Sequence, residues 1–441
     1  SMALHSTLGV GGFFVSGDVM NLGQIIDRCG TIMDFNPNIS DYRNEVRSLV
    51  NMAYMEMFGD KPYVFAQKDA YINVYSDITL TNFNLAGDQI TAVVGTPFFA
   101  SHEGRVITID SGPFKGDYVV RNYQSSTVIQ IDTIDGSSLT GAVATGLTGS
   151  IKQRFVDFPV DYMDTLSLGL RQPDQPTTQP FSYITRWLDE SLDLSLDEVS
   201  TPTDMVIVAP EVLKPPVKAP VLAAAGGTAP AGAGDYDVSY TFVRGGRESA
   251  PSPVSAFVTL TVGQQANLSA MQQSGSTSGL NKRIYLRGPE SDAFYLVSNG
   301  DQTATTATLA NLGLATEYLS EGTRLPEHEG MYQRFRLYPR QDQDYLLTLR
   351  YLFRPAKLID DADAPIFPAE HHDYLVYRVC QELFVKHNNL PQSEIYRSKA
   401  DRRLQDIENR YLTTRKSTFI KGHWRQTSMY QRPIPLLRHI P

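Results

Sequence analysis

The sequence predicts an α+β chain in which helices from both ends form one helical bundle. The bundle carries an antiparallel β-barrel or sandwich domain, and a second all-β sandwich is inserted into that domain. Three observations lead there. Long runs of apolar residues at spacings of three and four lie near the two ends. From Tyr71 to about Leu170 the period drops to two, and long strands resume after about Gly330. A Pro-, Ala- and Gly-rich stretch, 215–234, interrupts the β region before a fresh set of strands begins.

At 441 residues the chain is too long for one hydrophobic core, which rarely grows past about 250 residues. The predicted division is a leader or expression remnant at 1–19, a helical bundle from 20–65 and 366–412, and a β-rich core domain from 66–214 and 330–365. An insertion occupies 217–328 and an extended C-terminal arm 413–441. Ser1 precedes Met2, which normal initiation does not leave, so Met20 is the expected natural start.

Residues 20–60 read as helical. Val46, Leu49, Val50, Ala53, Tyr54, Met57 and Phe58 form a stripe, Asn38 or Ser40 is placed to cap its start, and Gly59 and Pro62 stop it. Alternation then marks Tyr71–Ser76, Val106–Ile109, Tyr118–Arg121 and Val128–Ile131, with glycines at 87, 95, 104, 112, 116 and 136 as turns. Ile184, Trp187, Leu188 and Leu192 give a short helical or strand pattern before the apolar strand Met205–Val208. In the insertion, Tyr236, Val238, Tyr240 and Phe242 share one face, and strands follow at 258–262, 283–287 and 294–297. Such a run suggests an immunoglobulin-like or fibronectin type III-like sandwich. The strands 334–338 and 345–353 are expected to rejoin the first β-domain, the second burying Tyr345, Leu347, Leu349, Tyr351 and Phe353.

Pro368 is expected to open the next helix, with Leu375, Val376, Val379, Cys380, Leu383 and Phe384 as its stripe. Pro391 begins another with Tyr396, Ala400, Leu404, Ile407 and Tyr411 inward. The short link between them makes an antiparallel hairpin. The residues expected to pack the bundle are Val46, Val50, Tyr54, Leu375, Val379, Leu383, Tyr396, Leu404 and Tyr411.

Composition narrows function. Net charge is −9, yet seven of the 39 Lys and Arg lie after residue 409, where no acid follows. The rest of the chain holds 32 basic against 48 acidic residues. An acidic body is a poor wrapper of nucleic acid, which is bound through clustered Lys and Arg. Cys29 and Cys380, the only cysteines, are too few for a disulfide scaffold or a cysteine zinc site and suit a reducing compartment. No apolar run is long enough for a membrane span.

Catalytic motifs are missing: there is no phosphate-binding loop, HExxH, GxSxG, CxxC or dinucleotide fingerprint, so no enzyme, cofactor or metal is expected. Glu370, His371, His372 and Asp373 are successive residues, which point about 100° apart on a helix and do not converge on one ion. They read as a polar first helical turn. Asp360, Asp361 and Asp363 lack the turn glycine and distal Glu of a calcium loop and read as a solvated turn. Residues 413–441 are different, because Phe419, Trp424, Met429, Tyr430, Ile434, Leu436, Leu437 and Ile440 are interspersed with basic residues without helical period. Extended, the segment reaches about 95 Å, and its apolar content calls for docking on a partner.

In order and local pattern, residues 20–412 resemble the head-to-tail adaptor (connector) proteins of tailed bacteriophages. Arg47, Val50, Asn51, Ala53 and Tyr54 resemble their opening helix. Thr96, Phe99, Gly104–Ile107 and Gly116–Val119 look like strands of phage β-domains. Asp361, Asp363, Pro365, Pro368, His371, Leu375, Leu383 and 396–412 resemble the closing segment. Tyr236–Phe242, Glu248–Pro251 and Arg283–Tyr285 look like the fibronectin type III-like modules that decorate virion proteins. The insertion and the long C-terminal arm depart from the usual smaller adaptor.

The resemblance implies a structural virion protein at the head-tail junction, assembled in the host cytoplasm. It implies a homo-oligomeric ring, twelve copies in such proteins, bound beneath the portal protein. Further partners are tail tube, nozzle or tail fibre proteins, and double-stranded DNA in transit without sequence-specific binding. The expected portal-docking arm comprises Arg415, Lys416, Phe419, Lys421, Trp424, Arg425, Tyr430, Arg432, Leu436, Leu437 and Arg438. The alternative is a host- or carbohydrate-binding tail or baseplate protein, with Tyr285, Phe294 and Tyr295 of the insertion stacking on sugar.

Overall fold

The computed structural model describes residues 19–412 except 37, 60, 134–138, 140, 172–181, 184–185, 189–198, 227–232, 245–246, 262, 274–280, 290–291, 301–304, 310–322 and 327–329. The fold is α+β, 24% helix and 42% strand. The described residues fall into two compact units, one holding those up to Gln67 and from Leu352 onward, the other Lys68–Tyr351.

The first unit contains four α-helices among the described residues: α1 (Leu22–Met33), α2 (Ser40–Phe58), α3 (Asp373–Lys386) and α4 (Leu390–Tyr411). Asn21 and Gln24 cap α1 reciprocally, side chain to backbone N–H at 2.9 and 3.0 Å. The two N–H groups that follow are received by a distant turn, Leu22 by the Asp363 carbonyl (2.7 Å) and Gly23 by that of Asp361 (3.0 Å). The region 20–60 that reads as helical therefore holds two helices. Asp34 turns left-handed (φ 59) and ends α1, and Asn36 precedes a proline, which disfavours helical backbone there. Neither Asn38 nor Ser40 caps α2; Ile39 holds the cap position without a side-chain hydrogen bond.

Pro368 does not open α3 itself. It precedes a short 3-10 turn, Ala369–His371, and the α-helix begins at Asp373. Contacts at Tyr377–Tyr396, Arg403–Asp373 and Arg410–Glu370 run in opposite directions along α3 and α4, so the two are antiparallel. Helices α1, α2 and α4 all pack on α3, which explains why its Leu375, Val376, Val379, Cys380 and Leu383 are all buried.

The second unit is built on strands. After β1 (Gln67–Val74), six strands close a barrel: β2 (Ile78–Ala86), β3 (Gln89–Ala92), β4 (Val106–Ile109), β5 (Gly116–Ser125), β6 (Val128–Thr133) and β7 (Val143–Lys152), in the order β2-β3-β6-β5-β4-β7. Alternate residues such as Phe83, Leu85, Ile107, Ile109, Val120, Ile129, Ile131 and Ile151 fill its interior. Closure between β4 and β7 depends on Gly149, where a Cβ would lie 2.3 Å from the Thr108 carbonyl oxygen.

Next come β8 (Val156–Asp157), β9 (Tyr162–Arg171), β10 (Ser182–Tyr183), β11 (Arg186–Leu188) and β12 (Asp204–Val212). The inserted region supplies β13 (Val221–Gly226), β14 (Gly234–Arg244), β15 (Arg247–Glu248), β16 (Val258–Leu260), β17 (Gln264–Ser269), β18 (Asn281–Arg287), β19 (Tyr295–Gly300) and β20 (Ala307–Leu309). One sheet runs β13-β17-β20; the other runs β15-β14-β18-β19, with β16 also on β14. Tyr236, Val238, Tyr240, Phe242, Leu222, Leu268 and Ile284 belong to one shared core.

The chain then returns through β21 (Met331–Tyr338) and β22 (Tyr345–Phe353). β21 lies between β12 and β8, and β22 between β1 and β9. The strands on either side of the insertion are thus neighbours, and Leu213 N–H donates to the Gly330 carbonyl at 3.0 Å.

Candidate functional site

Two segments singled out in the sequence, 47–54 and 358–368, meet each other along α2. Asn51 pairs with Leu358 as a strand residue would, its amide donating to the carbonyl (2.8 Å) and its oxygen accepting from the N–H (2.7 Å). Tyr54 accepts from Ile366 N–H at 3.1 Å, and Arg47 reaches Asp361 at 3.7 Å. Arg43 also pairs with Asp361. Val50 and Ala53, between these polar residues, are buried. Asp363 accepts from the backbone N–H groups of Ile359 and Asp360. The acidic turn expected to be merely solvated therefore has a structural task, closing the start of α1 and anchoring α2.

The same unit fixes the last turn of α4, from which the sequence continues into 413–441. Leu412 forms an isolated antiparallel bridge with Tyr63. Tyr63 stacks on Phe65 (centroids 4.9 Å apart, planes at 9°), and Phe65 in turn meets Phe58, Phe367 and Tyr411. Burial pushes the Tyr54 hydroxyl up to about 12, offset in part by its bond to Ile366. Glu370 gathers the polar ties: Oε1 accepts from Tyr411 (2.9 Å) and Arg410 (3.0 Å). Those interactions, the Tyr411 hydroxyl first, hold its carboxyl below the usual range. Lys61 pairs with Glu408 one turn earlier.

Glu370, His371, His372 and Asp373, expected to be a polar first helical turn, lie in the short 3-10 turn and at the start of α3, with both histidines buried. His371 Nε2 lies 3.2 Å from Glu370 Oε1 without hydrogen-bond alignment, and its ring meets Tyr411 edge-on. His372 clasps two remote backbones, with Nε2 3.0 Å from the Phe367 carbonyl and Nδ1 accepting from Met20 N–H at 3.1 Å. Nδ1 is also 3.1 Å from the Met20 carbonyl, and burial lowers both histidine pKa values. Asp373 turns instead to Arg28 (2.7 Å) and Arg403 (3.7 Å). The four side chains serve different partners, and no group of three or more potential metal ligands occurs among the described residues.

In the second unit a charged joint holds the insertion to the strands flanking it. Arg247 of β15 grips Asp157 of β8 at 2.5 and 2.7 Å and pairs with Glu211 of β12. Glu211 also meets Arg244 and, at 2.9 Å, Arg334. Burial pushes the Glu211 carboxyl up, but the surrounding arginines outweigh it and hold it below the usual range. The next residue, Glu248, is buried and accepts from Tyr285 (2.6 Å), Thr241 (2.5 Å) and Arg283 (2.8 Å). Tyr332 of β21 donates to its backbone carbonyl at 2.9 Å. Gly330 (φ +70) allows the approach, since a Cβ there would sit 2.7 Å from Ala250 N and 3.0 Å from the Leu213 carbonyl oxygen.

Of the residues expected to pack the helices, Val46, Val50, Tyr54, Leu375, Val379 and Leu383 are buried, while Tyr396, Leu404 and Tyr411 are half-buried. The arm residues Arg415, Lys416, Phe419, Lys421, Trp424, Arg425, Tyr430, Arg432, Leu436, Leu437 and Arg438 lie outside the described residues. Tyr285 and Tyr295 are buried, and Phe294 has the Arg287 guanidinium 4.7 Å above its ring, so these aromatics form no open platform for a sugar. Among the described residues no helix is long and apolar enough to cross a membrane. Sequence reasoning missed the roles of His372, Glu211 and Arg247. Isolated charged and polar residues carry no periodic signal, and their partners are far away in the chain. Neither a scan against protein-family models nor a search of curated proteins returns a match for the chain.

Proposed function

We propose that this chain is a structural virion protein without enzymatic activity, a head-to-tail adaptor that forms a homo-oligomeric ring beneath the portal of a tailed bacteriophage. In this reading the four helices are the adaptor's helical bundle, and β13–β20 are its immunoglobulin- or fibronectin type III-like insertion. The observation that carries the proposal is the convergence of the two chain ends in one helical unit. The last helix of that unit, tied down through Glu370, Tyr63 and Lys61, leads directly into the basic, apolar segment 413–441.

That segment is the portal-docking arm. Burial of Trp424 and its Ile and Leu side chains in clefts of the portal would offset the entropy of ordering it. A closed ring needs two different contact faces on every subunit. An acidic body around the channel repels DNA phosphates and limits sticking as the genome passes. Twelve copies, and contacts with tail tube, nozzle or fibre proteins, complete the reading.

The test is co-sedimentation with the purified portal ring of the same virion, using the full chain and a version ending at Leu412. Binding by the full chain that is lost on truncation supports an adaptor with a docking arm. Equal binding by both moves docking to the helices, and binding by neither refutes the adaptor.

A further inference from the structure

The only two cysteines of the chain come together although they lie near opposite ends of it. Cys29 sits in the second half of α1 and Cys380 in α3, both as free thiols and both fully buried. The register of the two helices is pinned independently by Arg28, which pairs with Asp373 at 2.7 Å. The Cys29 thiol is directed at the Val376 carbonyl, 4.0 Å away. In an α-helix that carbonyl receives the N–H of the residue four positions on, here Cys380, and side chains four apart share a face. Cys29 therefore faces the turn that bears Cys380. The neighbouring Cys380 thiol, ahead of burial, pushes the Cys29 thiol up, with Arg28 opposing.

We propose that Cys29 and Cys380 form an intramolecular disulfide on exposure to a small disulfide oxidant, stapling α1 to α3. With oxidised glutathione the reaction is two successive thiol–disulfide exchanges. Two protein S–H bonds and the S–S bond of glutathione break; one protein S–S bond and two glutathione S–H bonds form. The protein gives up two electrons and two protons, and the oxidant takes them. Only a thiolate attacks, so a buried thiol that holds its proton reacts slowly, at the rate at which α1 opens. The loop so closed includes every residue from α1 to α3, the whole 68–351 unit among them. Cross-links across long loops restrict the unfolded chain most. The staple would thus convert a helical unit assembled from both chain ends into one that cannot separate.

The experiment exposes the full chain to oxidised glutathione, then alkylates and maps peptides by mass spectrometry, with thermal melting followed by helical circular dichroism. The expected result is a Cys29–Cys380 peptide and a melting temperature raised by about 5 °C, reversed by dithiothreitol. Cys29→Ala, treated alike, should show no rise. Two free thiols at the end of the exposure, a single glutathione adduct as the stable product, or bridges between separate chains would each overturn the proposal. The wild-type peptide map decides the matter even where the variant fails to fold.

Discussion

His102 is a buried imidazole in the turn before β4, its Nδ1 accepting the Phe99 N–H at 3.3 Å. Burial, and secondarily Arg105, pulls its pKa from 6.5 down to about 4. The folded chain therefore refuses a proton that the unfolded chain binds. The stability His102 contributes is full above its ordinary pKa and drains away as the pH falls from there toward about 4, by on the order of 3 kcal/mol in total. Denaturation at several pH values across that window should show a shallower acid slope for His102→Gln, whose amide oxygen can still accept from Phe99. An unaltered slope would remove His102 from the account. Its neighbour Arg105 is buried too, its guanidinium 4.3 Å above the Tyr75 ring, and burial draws it down to about 10.

At the scale of elements, one residue in the barrel and one in α2 make contacts that a substitution would break. Gly149→Ala drives a methyl into the Thr108 carbonyl and should cost about 3 kcal/mol of stability, or prevent closure between β4 and β7. Chemical denaturation measures the loss; a variant as stable as the parent would mean that the strands part without penalty. Asn51→Ala removes both hydrogen bonds to Leu358 and should cost about 2 kcal/mol. The check is faster amide exchange at Leu358, and protection equal to the parent's would contradict the role.

Elements were legible where one face is buried. In β22 the alternating Tyr345, Leu347, Leu349, Tyr351 and Phe353 are all buried, because pleating puts every second side chain on one face. The break at Asp34 was not legible, since a left-handed turn at a single Asp leaves the apolar period on either side intact. Nor was the parallel pairing of β11 with β12, because pairing partners are settled by tertiary contacts and not by the period of either strand. In α4, Tyr396, Leu404 and Tyr411 stay half-buried because the helix covers α3 with a narrow stripe only.

For the molecule as a whole, the charged joint decides whether the insertion is carried as a fixed part of its unit. Glu211→Gln leaves Arg244, Arg247 and Arg334 around a neutral amide. It should lower stability by about 2 kcal/mol, with the loss visible as increased hydrogen exchange in β15 and β21. An unchanged exchange pattern there would show that the apolar contacts alone hold the insertion. The ion pairs of this joint were not legible in the sequence, because Asp157, Glu211 and Arg247 are isolated charges far apart in the chain. The meeting of 47–54 with 358–368 was not legible either, because the acidic turn read as solvated and contacts so far apart in the chain leave no local pattern.

The side-by-side placement of β12 and β21 has a meaning for lineage and for engineering. Leu213 and Gly330 already share a hydrogen bond, so residues 214–329 enter and leave at one place, with the charged joint of Arg244 and Arg247 beside it. Excising them and joining the ends with a short glycine turn turns β12 and β21 into an ordinary hairpin. A smaller protein, complete in its barrel and helices, is thus nested within this one, and any other module whose ends lie equally close could be spliced in at the same place.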